Sequence, residues 1–262
     1  MTQELLNIFS TSNVILFIIV LSRLSGFFMT APLFSTYPIP TQVKIWMCAT
    51  IAFLIYPFLA AQSNIILPTS IPTLACFIAL EFSVGFLLGY IANIVFMGVQ
   101  LSGHVISTQM GLSIADALDP ATGSKAPALG TLYVYIISLI FLSINAHHYL
   151  FATIYQSFTA IPVGNEFVFS PAFVHQMVVM VSSLFAIAIK VVMPLFAIMF
   201  AVEVLMAVVA KAMPQMNIFM VSLPFKIIVG LVLVLIFLSP TVSYMTSLIE
   251  EYLNHLIQIL LT

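Results

Sequence analysis

The stretch FVHQMVVMVSSLFAIAIKVVMPLFAIMFAVEVLMAVVA, residues 173–210, decides the fold. Its 38 residues hold two formal charges, Lys190 and Glu203. An apolar run of that length reads as a helix in a bilayer, because a strand or a buried core helix needs far fewer residues. As one helix it would be about 57 Å long at ~1.5 Å per residue. A hydrocarbon core is only about 30 Å thick. Two geometries satisfy this: the chain turns back near Lys190 and Pro194, or one long kinked helix projects well beyond the hydrocarbon.

The rest of the chain has the same character. Of its 262 residues 14 are charged, 5%, where a globular domain carries roughly 25%. With 63% hydrophobic residues and a mean hydropathy of +1.23, the apolar surface exceeds what a single core can bury. This excludes a soluble monomer. The net charge of −2 provides no basic patch for phosphates, so nucleic acid is not expected as a partner. Cys48 and Cys76 both lie in apolar stretches and read as small buried hydrophobes rather than a disulfide or metal framework.

Further spans flank the long run. Val14 to Met29 follows a tail that holds Glu4 and no Lys or Arg, unlike a secretory signal, and reads as a retained span. Val43 to Ala61 is set off by Pro38-Ile39-Pro40 and by Pro57. A third span follows the capping pair Thr69-Ser70 and runs to about Gly98. A fourth runs from Thr131 to about Tyr155. A last span, Ile218 to Leu238, is expected to close at Ser239-Pro240. Beyond it Met245, Ile249, Tyr252, Leu256 and Ile259 repeat at four and three, opposite Glu250, Glu251 and Gln258, which predicts an amphipathic tail helix for a membrane surface or a partner groove. Lys44, Lys125 and Lys211 follow the first, third and fifth segments, which places those loops in the cytoplasm and the N-terminus outside.

No pairing of a nucleophile with a base appears, nor a phosphate loop. His147 and His148 are adjacent, so on a helix they diverge by about 100° and do not form a metal pair; they read as polar residues near the end of a span. His104, His175 and His255 are scattered. No cofactor or metal is expected. The charges inside apolar segments, Arg23, Glu81, Lys190 and Glu203, are a stronger signal, because each costs about 2.5–3.5 kcal/mol at the bilayer centre. They either form an ion pathway or pair with one another and with neighbouring subunits. Pairing is the favoured reading, since a carrier gathers several polar groups at broken helices near the midplane. Gly85 and Gly89, following Glu81, form a G-x-x-x-G pair that lets helices approach closely. The segment Gly103 to Gly130 is too polar for lipid and too apolar for a plain loop. A re-entrant loop lining or plugging a pore would suit it, with the adaptable Met110 as part of a seal; an ordinary connection between spans is the alternative.

The order of these motifs resembles the FliR family of flagellar export-gate proteins, whose virulence relatives (SctT) belong to type III secretion injectisomes. Arg23, Gly26, Pro32, Pro40 and Lys44 match the family's N-terminal pattern; Glu81, Gly85 and Gly89 match its glycine helix. Gly103, Gln109, Met110, Gly111, Asp119 and Pro120 match its loop, and Pro214, Gln215, Met216, Asn217, Pro224, Lys226 and Gly230 match its late turn. Asn145-Ala146-His147 and Leu223 depart from the usual Gly-Gly-His and Gly. Lys190, Pro194, Gln215, Asn217, Pro224 and Lys226 are also similar to FliQ, the two-helix partner of the same gate.

The resemblance implies an all-α integral membrane export-gate subunit of long helical hairpins. A FliP-like part would cover residues 1–172, with a pore-facing loop at about 103–130, followed by a FliQ-like hairpin at 173–240 and an amphipathic helix at 241–262. It favours one long helix over a turn at Pro194. It implies a non-enzymatic subunit that assembles with FliP and FliQ homologues, beside FlhB and FlhA homologues, in the inner membrane of the flagellar basal body. Through that pore unfolded substrates would pass, driven by proton motive force and an associated ATPase. Ile106, Gln109, Met110, Gly111, Leu112, Asp119 and Pro120 would form the plug. An injectisome paralogue is the first alternative and an ion-coupled transporter the second; an intramembrane hydrolase lacks its catalytic groups.

Overall fold

The computed structural model describes residues 11–60, 70–112, 128–163, 171–215 and 217–261. Among these residues there are seven α-helices and no strand: α1 Thr11–Thr30, α2 Thr41–Ala60, α3 Ile71–Gln109, α4 Ala128–Ser143, α5 Ala146–Ala160, α6 Pro171–Ala212 and α7 Ile218–Leu261. Five of them are long and apolar enough to cross a membrane, and the broken pair α4 and α5 would add a sixth. The chain is a multi-pass membrane protein of all-α class.

The helix ends follow from local chemistry. Ser70 caps α3: its hydroxyl accepts the Thr73 N–H at 3.4 Å while the Ser70 N–H donates to the Thr73 hydroxyl at 3.3 Å, a reciprocal box that satisfies two otherwise free donors. Pro171 opens α6, where its missing N–H costs nothing. Pro57, Pro194, Pro224 and Pro240 all lie inside helices. A proline removes one backbone bond, and apolar surroundings offer the chain no better alternative than to resume the helix on either side.

Three of the expected span boundaries are corrected. The third span does not stop near Gly98 but continues to Gln109. Its polar end stays helical, with the hydroxyls of Ser102 and Thr108 satisfied by the carbonyls of Val99 and Val105 at 2.6 and 2.8 Å. The fourth span is broken: Asn145 adopts φ 55°, in the left-handed region, between α4 and α5. His147 and His148 therefore start a helix rather than close a span, with rings 4.3 Å apart. The last span does not close at Pro240; α7 runs through it, so the tail is not a separate helix. Met245, Ile249 and Tyr252 of the expected amphipathic face are buried within the chain, while Glu250 and Glu251 are exposed. Cys48 is buried, but Cys76 is exposed on α3. The long run 173–210 lies within one continuous helix that passes through Lys190 and Pro194.

By contacts the chain divides into two compact units, Met1–Ile94 with Asn145–Met180 and Tyr252–Thr262, and Val95–Ile144 with Val181–Glu251. In the first unit α1 crosses α3 with almost no side-chain separation. A Cβ on Gly26 would strike the Phe82 carbonyl, one on Gly85 the Arg23 carbonyl, and one on Gly89 would lie 2.5 Å from the Phe27 carbonyl. The Thr30 hydroxyl donates across this crossing to the Phe86 carbonyl at 2.9 Å. In the second unit Gly103 meets α4 at Gly130, whose Cα would lie 2.6 Å from an added Cβ, and the Phe96 and Phe141 rings pack edge to face at 5.5 Å. Burial is uneven: half of the apolar window of α1 is covered by the chain, against 11% of that of α7.

Candidate functional site

In the first unit the charges Arg23 and Glu81 come together. Arg23 is fully buried, and its Nε donates to Glu81 Oε2 at 2.5 Å. Nη1 donates to the Ser157 carbonyl at 2.8 Å and Nη2 to the Ile161 carbonyl at 2.9 Å. These carbonyls belong to the C-terminal end of α5, where the helix dipole favours a cation; the Ser157 oxygen also accepts the Ile161 N–H at 2.9 Å. The guanidinium carbon also lies 4.3 Å from the centre of the Phe158 ring. Every face of the group is occupied, so this is a structural junction joining α1, α3 and α5.

The second unit holds the end of α3. The expected plug residues Ile106 to Gln109 are helical, Met110 and Gly111 form a turn, and Leu112 follows. Asp119 and Pro120 lie outside the described residues. Ile106 and Met110 are buried. Gly111 has φ 81°, the left-handed conformation that ends a helix and that glycine adopts without penalty. The Met110 side chain fills a notch in α7: a Cβ on Gly230 would lie 2.5, 2.6 and 2.7 Å from its Cγ, Cε and Sδ. Beside it Gln109 Nε2 donates to Glu203 Oε2 at 3.4 Å, and Lys226 Nζ donates to the other oxygen of Glu203 at 3.0 Å.

Glu203 and Lys226 sit on α6 and α7, either side of the turn that contains Pro214 and Gln215, both exposed; Asn217 accepts the Met220 N–H at 3.1 Å as α7 begins. Pro224 lies in the first turns of α7. Thr108, Gln109, Gly111, Glu203, Ser222 and Lys226 contribute polar groups to an open groove of about 460 Å³. Lys190 is exposed on α6 with no ion pair among the described residues. Among the described residues no group of three His, Cys, Asp or Glu is arranged to hold a metal.

Sequence reasoning named Met110 and Gly230 separately but did not pair them, and it placed Glu203 and Lys226 in different groups. One signal was present. Glu203 stands eleven residues before Pro214 and Lys226 eleven after Gln215, the equal spacing that sets two residues opposite each other in a hairpin. No comparable signal joined Met110 to Gly230.

Residues 14–252 match the family described as bacterial export proteins, family 1. The chain is 34% identical to the flagellar biosynthetic protein FliR of Bacillus subtilis, covering 85% of this chain and 86% of that protein. It is 27% identical to the protein of the same name from Escherichia coli, over 92% and 90%. The Yop proteins translocation protein T of Yersinia pestis is 28% identical over 74% of each chain.

Proposed function

Because this chain belongs to the bacterial export proteins, family 1, we propose that it is a subunit of the flagellar type III protein export gate. It helps to form and close the pore through which unfolded flagellar proteins cross the inner membrane. The observation that carries this reading is the near full-length match to flagellar FliR proteins. The two flagellar proteins match over 85% and 92% of this chain and the Yersinia protein over 74%, which favours the flagellar over the injectisome role.

The helices support an assembled rather than a solitary state. At ~1.5 Å per residue, the 42 residues of α6 and 44 of α7 span about 63 and 66 Å, twice the ~30 Å of hydrocarbon. Exposed apolar side chains occur along both, from Val178 to Val209 on α6 and from Met220 to Ile236 on α7. Lipid can cover only about half of such a helix, so other apolar helices must cover the remainder. FliP and FliQ homologues are the proposed neighbours, with FlhB and FlhA homologues beside them in the basal body. The chain has no enzymatic role: it acts by position. The residues Ile106 to Leu112, with Asp119 and Pro120, form the plug, an apolar and deformable constriction that blocks ions yet admits an extended polypeptide.

The test is native mass spectrometry of the tagged chain purified in mild detergent from its host membrane. A large complex with FliP-like and FliQ-like subunits is expected; a stable folded monomer would overturn the assignment. Deleting Met110 to Leu112 is expected to raise ion leak through the assembled gate, and an unchanged leak would remove the plug.

A further inference from the structure

Resting on the export-gate reading, we infer that Met110 is a releasable latch seated in the Gly230 notch of α7, with Gln109 and the Glu203–Lys226 pair setting the register in which it seats. The close glycine contacts of this chain differ in what they meet. At Gly26 and Gly103 the three nearest atoms to an added Cβ all belong to the backbone of the opposing segment. Backbone against backbone can separate only if whole helices move. At Gly230 all three belong to a single side chain, that of Met110. Methionine is unbranched and has three rotatable bonds, so this contact can be made and broken by rotation of one side chain.

The position of the knob adds a second reason. Met110 sits in the turn where α3 ends, next to Gly111 at φ 81°. The N–H groups of this turn bond locally, Met110 to the Ile106 carbonyl at 2.9 Å and Gly111 to the Thr108 carbonyl at 3.0 Å. The polar link at its side is a long one, the 3.4 Å bond from Gln109 to Glu203, whose side chain is half exposed. Exposed ion pairs and long hydrogen bonds hold weakly and reform readily. They align the turn. The buried knob holds it. A glycine weakens a helix interior, and here the space it leaves is occupied by Met110.

The test uses the assembled complex in membranes of a strain that lacks the native chain. The Met110 Cγ lies 2.5 Å from where a Cβ at position 230 would stand, so the two Cβ atoms are at most about 4 Å apart, within disulfide reach. In a Met110→Cys, Gly230→Cys double variant, oxidation is expected to lower export at least tenfold and a reductant to restore it, with neither single variant responding. Full export with the disulfide formed would overturn the latch. Gly230→Ala, which crowds the notch without a cross-link, is expected to raise ion leak several-fold in complexes that co-purify normally; an unchanged leak would also overturn it. If the wild-type chain fails to restore export to the same strain, the gate reading itself fails. If it restores export and the disulfide is without effect, only the latch fails.

Discussion

Arg23 and Glu81 are 58 residues apart in sequence and 2.5 Å apart in the folded chain, the arginine without any exposed surface. The pair sits where α1 and α3 cross at their glycines. Gly85 lies four residues after Glu81, one helical turn on, and faces the carbonyl of Arg23 itself. The close approach that the glycines permit brings the two charges into contact, and the contact removes the cost of carrying each charge in an apolar segment. The two remaining guanidinium nitrogens bind the end of α5, so one side chain joins three helices of the first unit.

Arg23→Leu is therefore expected to destabilise the chain by about 3–5 kcal/mol, since it leaves the buried Glu81 carboxylate without its cation and takes the guanidinium from the α5 end. Glu81→Gln keeps an acceptor for the guanidinium and is expected to cost less. Thermal unfolding of both variants in detergent measures the order; an equal or reversed ranking would show that the α5 carbonyls contribute little.

Gly85→Ala and Gly111→Ala separate two uses of glycine. The first places a methyl group against the Arg23 carbonyl and must force α1 and α3 apart. At Gly111 an added Cβ meets only Leu223, at 3.7 and 3.8 Å, and the cost is the left-handed φ alone, about 1–2 kcal/mol. Folded yield in membranes should fall sharply for the first variant and modestly for the second.

The break between α4 and α5 depends on Asn145 at φ 55°. Asn145→Gly relieves the backbone and is expected to leave the unfolding midpoint unchanged or higher. Asn145→Ala is expected to lose about 1 kcal/mol, because a Cβ without a local polar group is disfavoured there. A midpoint that rises with alanine would mean that the two segments prefer to form one helix.

Lys226→Met leaves Glu203 without its cation, and Glu203→Gln leaves the lysine without its carboxylate. Each is expected to reduce recovery of the assembled complex several-fold. The exchange Glu203→Lys with Lys226→Glu restores opposite charges across the hairpin and is expected to recover most of the loss. Blue-native electrophoresis of the three variants reads this directly. No recovery in the exchanged chain would show that another subunit reads the sign of the charge.

The comparison of α6 with α4 and α5 shows where sequence was sufficient. Residues 173–210 could only be a membrane helix, because no other element hides so long an apolar run. The run 131–155 looked equally continuous, yet it breaks at Asn145, where one residue takes a left-handed conformation that composition does not reveal. Pro240 looked like an end and was not. Proline marks where a helix can stop, and whether it does is decided by whether the surroundings offer the freed backbone groups anything better.

By itself the sequence determined the class of the protein, since a chain with so few charges and such long apolar runs has no stable alternative to helices among lipid and other helices. It also set apart Arg23, Glu81, Lys190 and Glu203 as charges in apolar segments, of which Arg23, Glu81 and Glu203 are paired among the described residues. Only the tertiary structure decided what those partners are: Arg23 with Glu81 and the end of α5, Glu203 with Lys226, Met110 with Gly230. Helical periodicity constrains neighbours within a few residues, whereas these contacts depend on how closely two helices approach and in what register, which glycines and turns distant in sequence set together.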